Sequence, residues 1–280
     1  MQSHSWPKTS AEMIKMAKSP IKTVLIYGAS GRMGQELTGI LTKHKTLILG
    51  AAADVSEIRV FDKQHTAILK NSLSALTAVV EAVDYIIDFS SPKGSEILSQ
   101  ALSRSKQKTI LVGTTGLPDT IKTKLKQMAK RCSHKILLAG NTSLGIATLA
   151  RLAVNAALAL EGENFDIEIT ETHHRMKADA PSGTALLLAQ VLQRALKGSK
   201  VTFHRTGKRT EGSIGIHSIR GGGVFGEHEI RFLSDHEEVR LSHRAFNRAL
   251  FANGALNLIA EVDKKLKPGS GLELIDFLLS

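Results

Sequence analysis

A chain of 280 residues with 42% hydrophobic and 22% charged residues has enough material for two modest domains, and so ordinary a composition favours neither a disordered nor a membrane-embedded protein. Its single cysteine, Cys132, excludes an internal disulfide and every multi-cysteine metal site, which points to a reducing, cytoplasmic setting. The net charge of +11 favours anionic ligands. Aromatics are only 4%, with none among Lys122, Lys124, Lys126, Lys130 and Arg131, so that basic stretch reads as a solvated helix face and no nucleic-acid partner is expected.

Residues 1–20 read as a flexible leader without the apolar middle of a signal peptide, and no run approaches the ~18 apolar residues of a membrane span. From Lys22 onward, short aliphatic runs alternate with helical stretches, the pattern of parallel βαβ units. Strands are predicted at 23–27, 47–53, 85–89, 109–112 and 136–139, with helices at 31–43, 95–103 and 120–131 between them. This half is α/β, a Rossmann-type doubly wound parallel sheet. After Asn141 the texture changes. Helices are predicted at 146–160 and 183–196 and strands at 166–170, 216–220, 227–234 and 238–242, an α+β domain with an open mixed sheet, largely antiparallel. A last helix at 249–266 can return to the first domain. The division expected is therefore 21–143 with 249–280 for a dinucleotide-binding domain, and 144–248 for a second domain that binds substrate.

The segment Gly28-Ala29-Ser30-Gly31-Arg32-Met33-Gly34 lies between the first strand and first helix, where glycines allow a tight turn and close approach of a pyrophosphate to the helix N-terminus. Its G-x-x-G-x-x-G spacing is weak taken alone. Asp54 follows Gly34 by 20 residues, at the end of the second strand, where a carboxylate accepts bonds from ribose hydroxyls and repels a 2′-phosphate. Val55 beside it brings no cation, so NADH is expected in preference to NADPH, with Arg32 able to soften the choice. Phe89, Gly113-Thr114-Thr115 and Ala139-Gly140-Asn141-Thr142 end later strands and are placed to meet the nicotinamide half.

The densest chemistry runs from Glu171 to Thr184. Ser182, Gly183 and Thr184 open the helix at 183–196, whose first-turn amides suit a carboxylate. Lys177 adds a full charge, and His173 or His174 can exchange a proton near neutral pH. Arg244 or Arg248 can hold a second carboxylate in bidentate fashion. Adjacent histidines on extended chain point to opposite sides and no third ligand pattern accompanies them, so no metal is expected.

The motifs GASGRMG (28–34), IDFSSP (87–92), VGTTG (112–116), AGNTSLG (139–145), ETHHRMKADAPSGTA (171–185), GEH (226–228) and FANGA (251–255) resemble, in order, those of the dihydrodipicolinate reductase family. The resemblance runs from about Ile21 to the end of the chain. It implies a homotetrameric reductase of lysine and diaminopimelate biosynthesis, using NAD(P)H to convert the dehydrated form of 4-hydroxy-tetrahydrodipicolinate into tetrahydrodipicolinate. Matched by position, His173 resembles the catalytic acid and Lys177 its partner, while His174, Gly183 and Thr184 resemble substrate contacts. By the same matching Gly28 to Met33, Asp54, Gly113 to Thr115 and Ala139 to Thr142 resemble cofactor contacts. The family commonly carries Glu followed by Arg where Asp54 and Val55 stand, and that departure bears on phosphate recognition. Two other readings compete: another two-domain reductase such as an aspartate or homoserine dehydrogenase, and a non-catalytic nucleotide-binding protein.

Overall fold

A computed structural model describes residues 21–61 and 66–279; the expected leader at 1–20 lies outside them. The first strand, β1 (Lys22–Tyr27), is the centre of an eight-stranded sheet. Val24, Leu25 and Ile26 have no exposed surface, as a strand covered by helices on both faces requires. β1 is flanked in parallel by β2 (Leu47–Ala53) and β5 (Tyr85–Asp88), and parallel pairing continues outward from β5 through β6 (Thr109–Val112), β7 (Lys135–Leu138) and β13 (Gly271–Glu273). Chain direction away from β1 reverses between β2 and β5, which opens a crevice at their carboxyl ends.

The other edge is a hairpin, β3 (Glu57–Phe61) and β4 (Thr66–Lys70), that adds antiparallel strands next to β2. The sequence reading has no counterpart for it, nor for α2 (Leu73–Ala82). β4 is exposed along its whole length, so no alternation marks it.

Alternate residues of the central strands feed two cores. Leu25, Tyr27, Ile86 and Ile110 pack under α2, α3 (Pro92–Leu102) and α4 (Asp119–Cys132). Val24, Ile26, Ile87, Leu111 and Leu137 face the other way and join a core shared with α1 (Arg32–Leu41), α7 (Ala249–Lys265) and the second sheet. In α7 the buried Leu256, Ile259 and Val262 are worth about 1.5–3 kcal/mol each on burial, enough to hold this helix against the first sheet.

The second sheet has the order β12 (Glu238–Ala245), β11 (Gly226–Leu233), β8 (Asp166–His173), β10 (Ser213–Arg220) and β9 (Lys200–Phe203). It is less antiparallel than the spacing of its strands suggests: β10 runs parallel to both β8 and β9, and only β11 pairs antiparallel with its neighbours β8 and β12. One face is covered by α5 (Leu144–Ala159) and α6 (Gly183–Ala195), which pack on each other. β8 reaches His173, three residues past its predicted end, and its strict burial alternation puts Ile167, Ile169, Glu171 and His173 on the helix-covered face. α8 (Leu274–Leu279) closes the chain beside α5 and α6.

Candidate active site

The carboxyl ends of the first sheet's strands are stitched in one row. Gly28 N donates to Ala53 O, Phe89 N to Tyr27 O, Gly113 N to Asp88 O, and Ala139 N to Val112 O, all at 2.8–2.9 Å. Gly28 has φ +87°, and a Cβ at Gly34 would fall 2.3 Å from Gly28 O, so both positions exclude larger residues. Gly31 caps α1 without a side-chain bond, which leaves first-turn amides of that helix unpaired by any cap. Arg32 is exposed beside them. Asp54 stands at the end of β2 and accepts from Ser30 N at 2.7 Å, from the Ser30 hydroxyl, and from Val55 N. Partial burial pushes its carboxyl up, but these bonds outweigh it and hold the group below the ordinary value. A glycine cradle, open helix amides and an ionised carboxylate 20 residues on are the fittings of a dinucleotide.

Next to this cradle, Asp88 is wholly buried and accepts from Ser90 N, the Ser90 hydroxyl, Ser95 and Thr114. Burial pushes its carboxyl up against those bonds. It ties the turn after β5 to the turn after β6, where the Phe89 ring lies against Gly113 so closely that a Cβ there would meet it at 2.4 Å. The Thr115 methyl borders Gly140 on the next loop.

On the second domain, a cis peptide at Ala180–Pro181 leads into α6. Ser182 caps that helix: its hydroxyl accepts from Ala185 N and meets His228 Nε2 at 3.1 Å, and its amide donates to Glu171. The amides left over at this helix start are those of Gly183 and Thr184, with open space beside Gly183. Glu171 has no exposed surface and holds Arg220 in a fork, at 2.9 Å from Nη1 and 2.7 Å from Nη2, while also accepting from His173 Nδ1. Burial would raise its carboxyl, but Arg220 and its other donors bring it down to about 2. His173 is lowered by burial, an effect Glu171 opposes and Lys177 and Arg220 reinforce. His228, edge-on to His173 with ring centroids 5.2 Å apart, is pushed down to about 3 by burial and by the neighbouring charge of His173. Lys177 pairs with Asp179 at 2.8 Å.

Beyond the core that the two halves share, a hydrogen bond joins them at the crevice. Asn141 Nδ2, on the loop after β7, donates to Thr184 Oγ1 at the start of α6 at 2.7 Å. The loop after β7 and the start of α6 therefore lie together at the mouth of the crevice. Of the other expected residues, His174 is fastened through its amide to Val224 O in the glycine-rich loop after β10, and Arg248 lies over the Phe225 ring of that loop at 5.9 Å. Arg244 instead points to the uncovered face of the sheet, opposite Glu227. Thr142 is buried, and its hydroxyl donates to Phe251 O, so its side chain serves the junction with α7. Glu171, Arg220, His228 and Asp88 received no role from sequence. The legible signal was the i, i+2 spacing of Glu171 and His173, meaningful only once β8 extends that far.

Comparison with known proteins matches residues 22–142 to the family model described as dihydrodipicolinate reductase, N-terminus, and residues 145–278 to the one described as dihydrodipicolinate reductase, C-terminus. A 4-hydroxy-tetrahydrodipicolinate reductase of Bartonella tribocorum is 40% identical over 247 residues, 82% of this chain and 89% of that protein. One of Helicobacter acinonychis is 41% identical over 239 residues, 83% of this chain and 91% of that protein. Among solved structures, the dipicolinate-bound dihydrodipicolinate reductase of Paenisporosarcina sp. TG-14 superposes with a TM-score of 0.70, covering 91% of this chain and 99% of that one at 24% identity, which establishes a common fold. Both halves match in chain order and without a break in architecture, and the chain belongs to the dihydrodipicolinate reductase family.

Proposed function

We propose that this protein reduces the dehydrated form of 4-hydroxy-tetrahydrodipicolinate to tetrahydrodipicolinate, at a site formed where the loop after β7 meets the start of α6. The observation that carries this reading is the Asn141–Thr184 bond of 2.7 Å, because it sets the anion- and proton-handling segment against the nucleotide cradle. An aspartate or homoserine dehydrogenase is not favoured, since both matched family models are those of dihydrodipicolinate reductase.

A dihydronicotinamide bound across the crevice supplies hydride to the conjugated C=C–C=N ring. The chain's own residues do the rest. The Gly183 and Thr184 amides and the Lys177 ammonium hold one ring carboxylate and offset the negative charge that develops on the ring nitrogen. Lys177 exchanges its Asp179 partner for the substrate. Arg248, at the mouth, suits the second carboxylate, and His174, Ser182 and Thr115 border the ring. His173 Nε2 gives its proton to the ring carbon left electron-rich. Glu171, His173 and His228 bring donor atoms within 4.8 Å of one another, but the carboxylate is already committed to Arg220 and the Ser182 amide, so the cluster reads as proton-handling chemistry without a metal.

In the cradle, Gly28, Ala29, Ser30, Gly31, Arg32 and Met33 hold the pyrophosphate, and Phe89, Gly113, Thr114, Ala139, Gly140 and Asn141 the nicotinamide half. Asp54 receives the ribose hydroxyls, and with Val55 beside it NADH is preferred over NADPH. Segment 21–143 with 249–280 forms the cofactor domain and 144–248 the substrate domain. Segment 144–248 is also the oligomerisation domain, and the protein assembles as a homotetramer. A cytoplasmic location fits the lone free thiol of Cys132; among the described residues no helix is long and apolar enough to cross a membrane.

The test is loss of reduced-nicotinamide absorbance when the pyruvate–aspartate-semialdehyde condensation product is added, run with NADH and NADPH. Lys177→Ala is expected to lower turnover by ~10²-fold, as loss of a charge-stabilising group does. Wild-type turnover in that variant removes Lys177 from the chemistry, and no oxidation with either cofactor removes the assignment.

A further inference from the structure

The part of the site with no assigned role is the buried carboxylate behind His173. Glu171 and His173 are two residues apart on β8 and share its covered face. A strand of that register points both side chains into the same pocket. Glu171 is fully buried, and four groups converge on it: both Arg220 Nη atoms, the Ser182 amide and His173 Nδ1. Arg220 is itself fixed by a further bond from Nη2 to Asp179 O at 2.6 Å. A buried carboxylate clamped in a fork has one ionisation state and one orientation. His173 Nδ1 meets that carboxylate, so Nδ1 carries the hydrogen and Nε2 is the nitrogen turned to Gly226, whose missing side chain leaves room for it; a Cβ there would lie 3.0 Å from Nε2.

Resting on the reading of His173 as the acid, we propose that Glu171 is the positioning residue of the proton transfer. It holds His173 in the Nδ1–H form with Nε2 toward the substrate, and Arg220 keeps Glu171 ionised for that task. In the step itself the Nε2–H bond breaks and a C–H bond forms at the substrate carbon. The imidazolium becomes neutral imidazole with its Nδ1–H still on Glu171, and solvent returns the proton. The groups facing His173 act in opposite senses. Burial, Lys177 from the loop that follows β8 and Arg220 from β10 disfavour the imidazolium, His228 from β11 stays neutral beside it, and Glu171 alone favours it.

The experiment is the pH profile of kcat for the full-length enzyme and the Glu171→Gln, His173→Gln and Glu171→Gln/Arg220→Gln variants. The double variant guards against misfolding, since it leaves no unpaired guanidinium behind. The rate of an acid-catalysed step is present below the acid's pKa and lost above it. Removing the one charge that favours the imidazolium therefore moves the alkaline limb to lower pH, by about one unit, and lowers kcat at neutral pH by about tenfold with KM for NADH unchanged. A uniform drop at every pH, or an unmoved limb in both Glu171 variants, overturns the inference. Nitrogen-15 histidine spectra of the unmodified enzyme decide it independently: a neutral His173 protonated on Nε2 rather than Nδ1 refutes the positioning role. If instead His173→Gln keeps the wild-type profile, the fault lies with His173 as acid.

Discussion

Gly254 offers a substitution for which helix propensity and tertiary structure predict opposite signs. It lies inside α7, where alanine is favoured over glycine by about 1 kcal/mol, so Gly254→Ala would stabilise an isolated helix. In the folded protein a Cβ at this position falls 1.8 Å from Thr142 O and 2.9 Å from Thr142 C. Reaching 3.0 Å, the closest that real Cβ atoms come, requires α7 and the loop to part by at least 3.0 − 1.8 = 1.2 Å. The obstacle is backbone, with no rotamer to move aside, and the Thr142 hydroxyl holds the same surfaces together through Phe251 O at 2.7 Å. Overpacking of this kind costs about 3 kcal/mol at the upper end of its usual range, leaving a net loss near 2 kcal/mol after the helix gain. For a chain of this size that is a fall in Tm of about 4–8 °C. Asn141 precedes Thr142 and carries the contact to α6, so a shift of about an ångström there is expected to lower kcat/KM by ~10²-fold. Thermal unfolding and steady-state kinetics read the two effects. A variant as stable and as active as the parent refutes the packing argument.

Gly226→Ala places a methyl 3.0 Å from His173 Nε2 and is expected to lower kcat about tenfold while leaving Tm nearly unchanged, since alanine suits a strand at least as well as glycine; unchanged kcat refutes it. Asp54→Ala removes the acceptor at the end of β2 and is expected to raise KM for NADH about tenfold, a loss of ~1.4 kcal/mol, and to raise KM for NADPH less or lower it. Equal rises for both cofactors refute that role for Asp54. His134, His173, His228 and His243 are all lowered, chiefly by burial. The unfolded chain then binds protons that the folded chain refuses, so stability falls as pH drops from about 6.5, and for His228 the fall continues to about 3. Glu171, lowered to about 2, adds a further loss between its ordinary 4.5 and that value. A Tm that stays constant from neutral pH to pH ~5 contradicts the assignment of neutral buried histidines.

Local rules made the first domain legible. β1, the glycine turn and Asp54 are a continuous apolar run, a break in it and a spacing, and none of these depends on distant chain. The same rules pass over β4, an edge strand with no buried face, and β13, three residues long and defined by pairing with β7. In the second domain, the titratable cluster from Glu171 to Thr184 stands out by composition, and helix-start chemistry marks Ser182, Gly183 and Thr184.

Which of those groups meet was decided elsewhere. Arg220 is 49 residues from Glu171 and His228 is 46 from Ser182, and only the β8–β10 and β8–β11 pairings bring them together. Asn141 reaches Thr184 across 43 residues because α7 and α5 seat the second domain on the first. Local propensity concerns neighbours within a turn or a strand. The charge state of a buried carboxylate, and the nitrogen that a histidine turns toward its substrate, are set by partners that come close only when the sheets close on their cores.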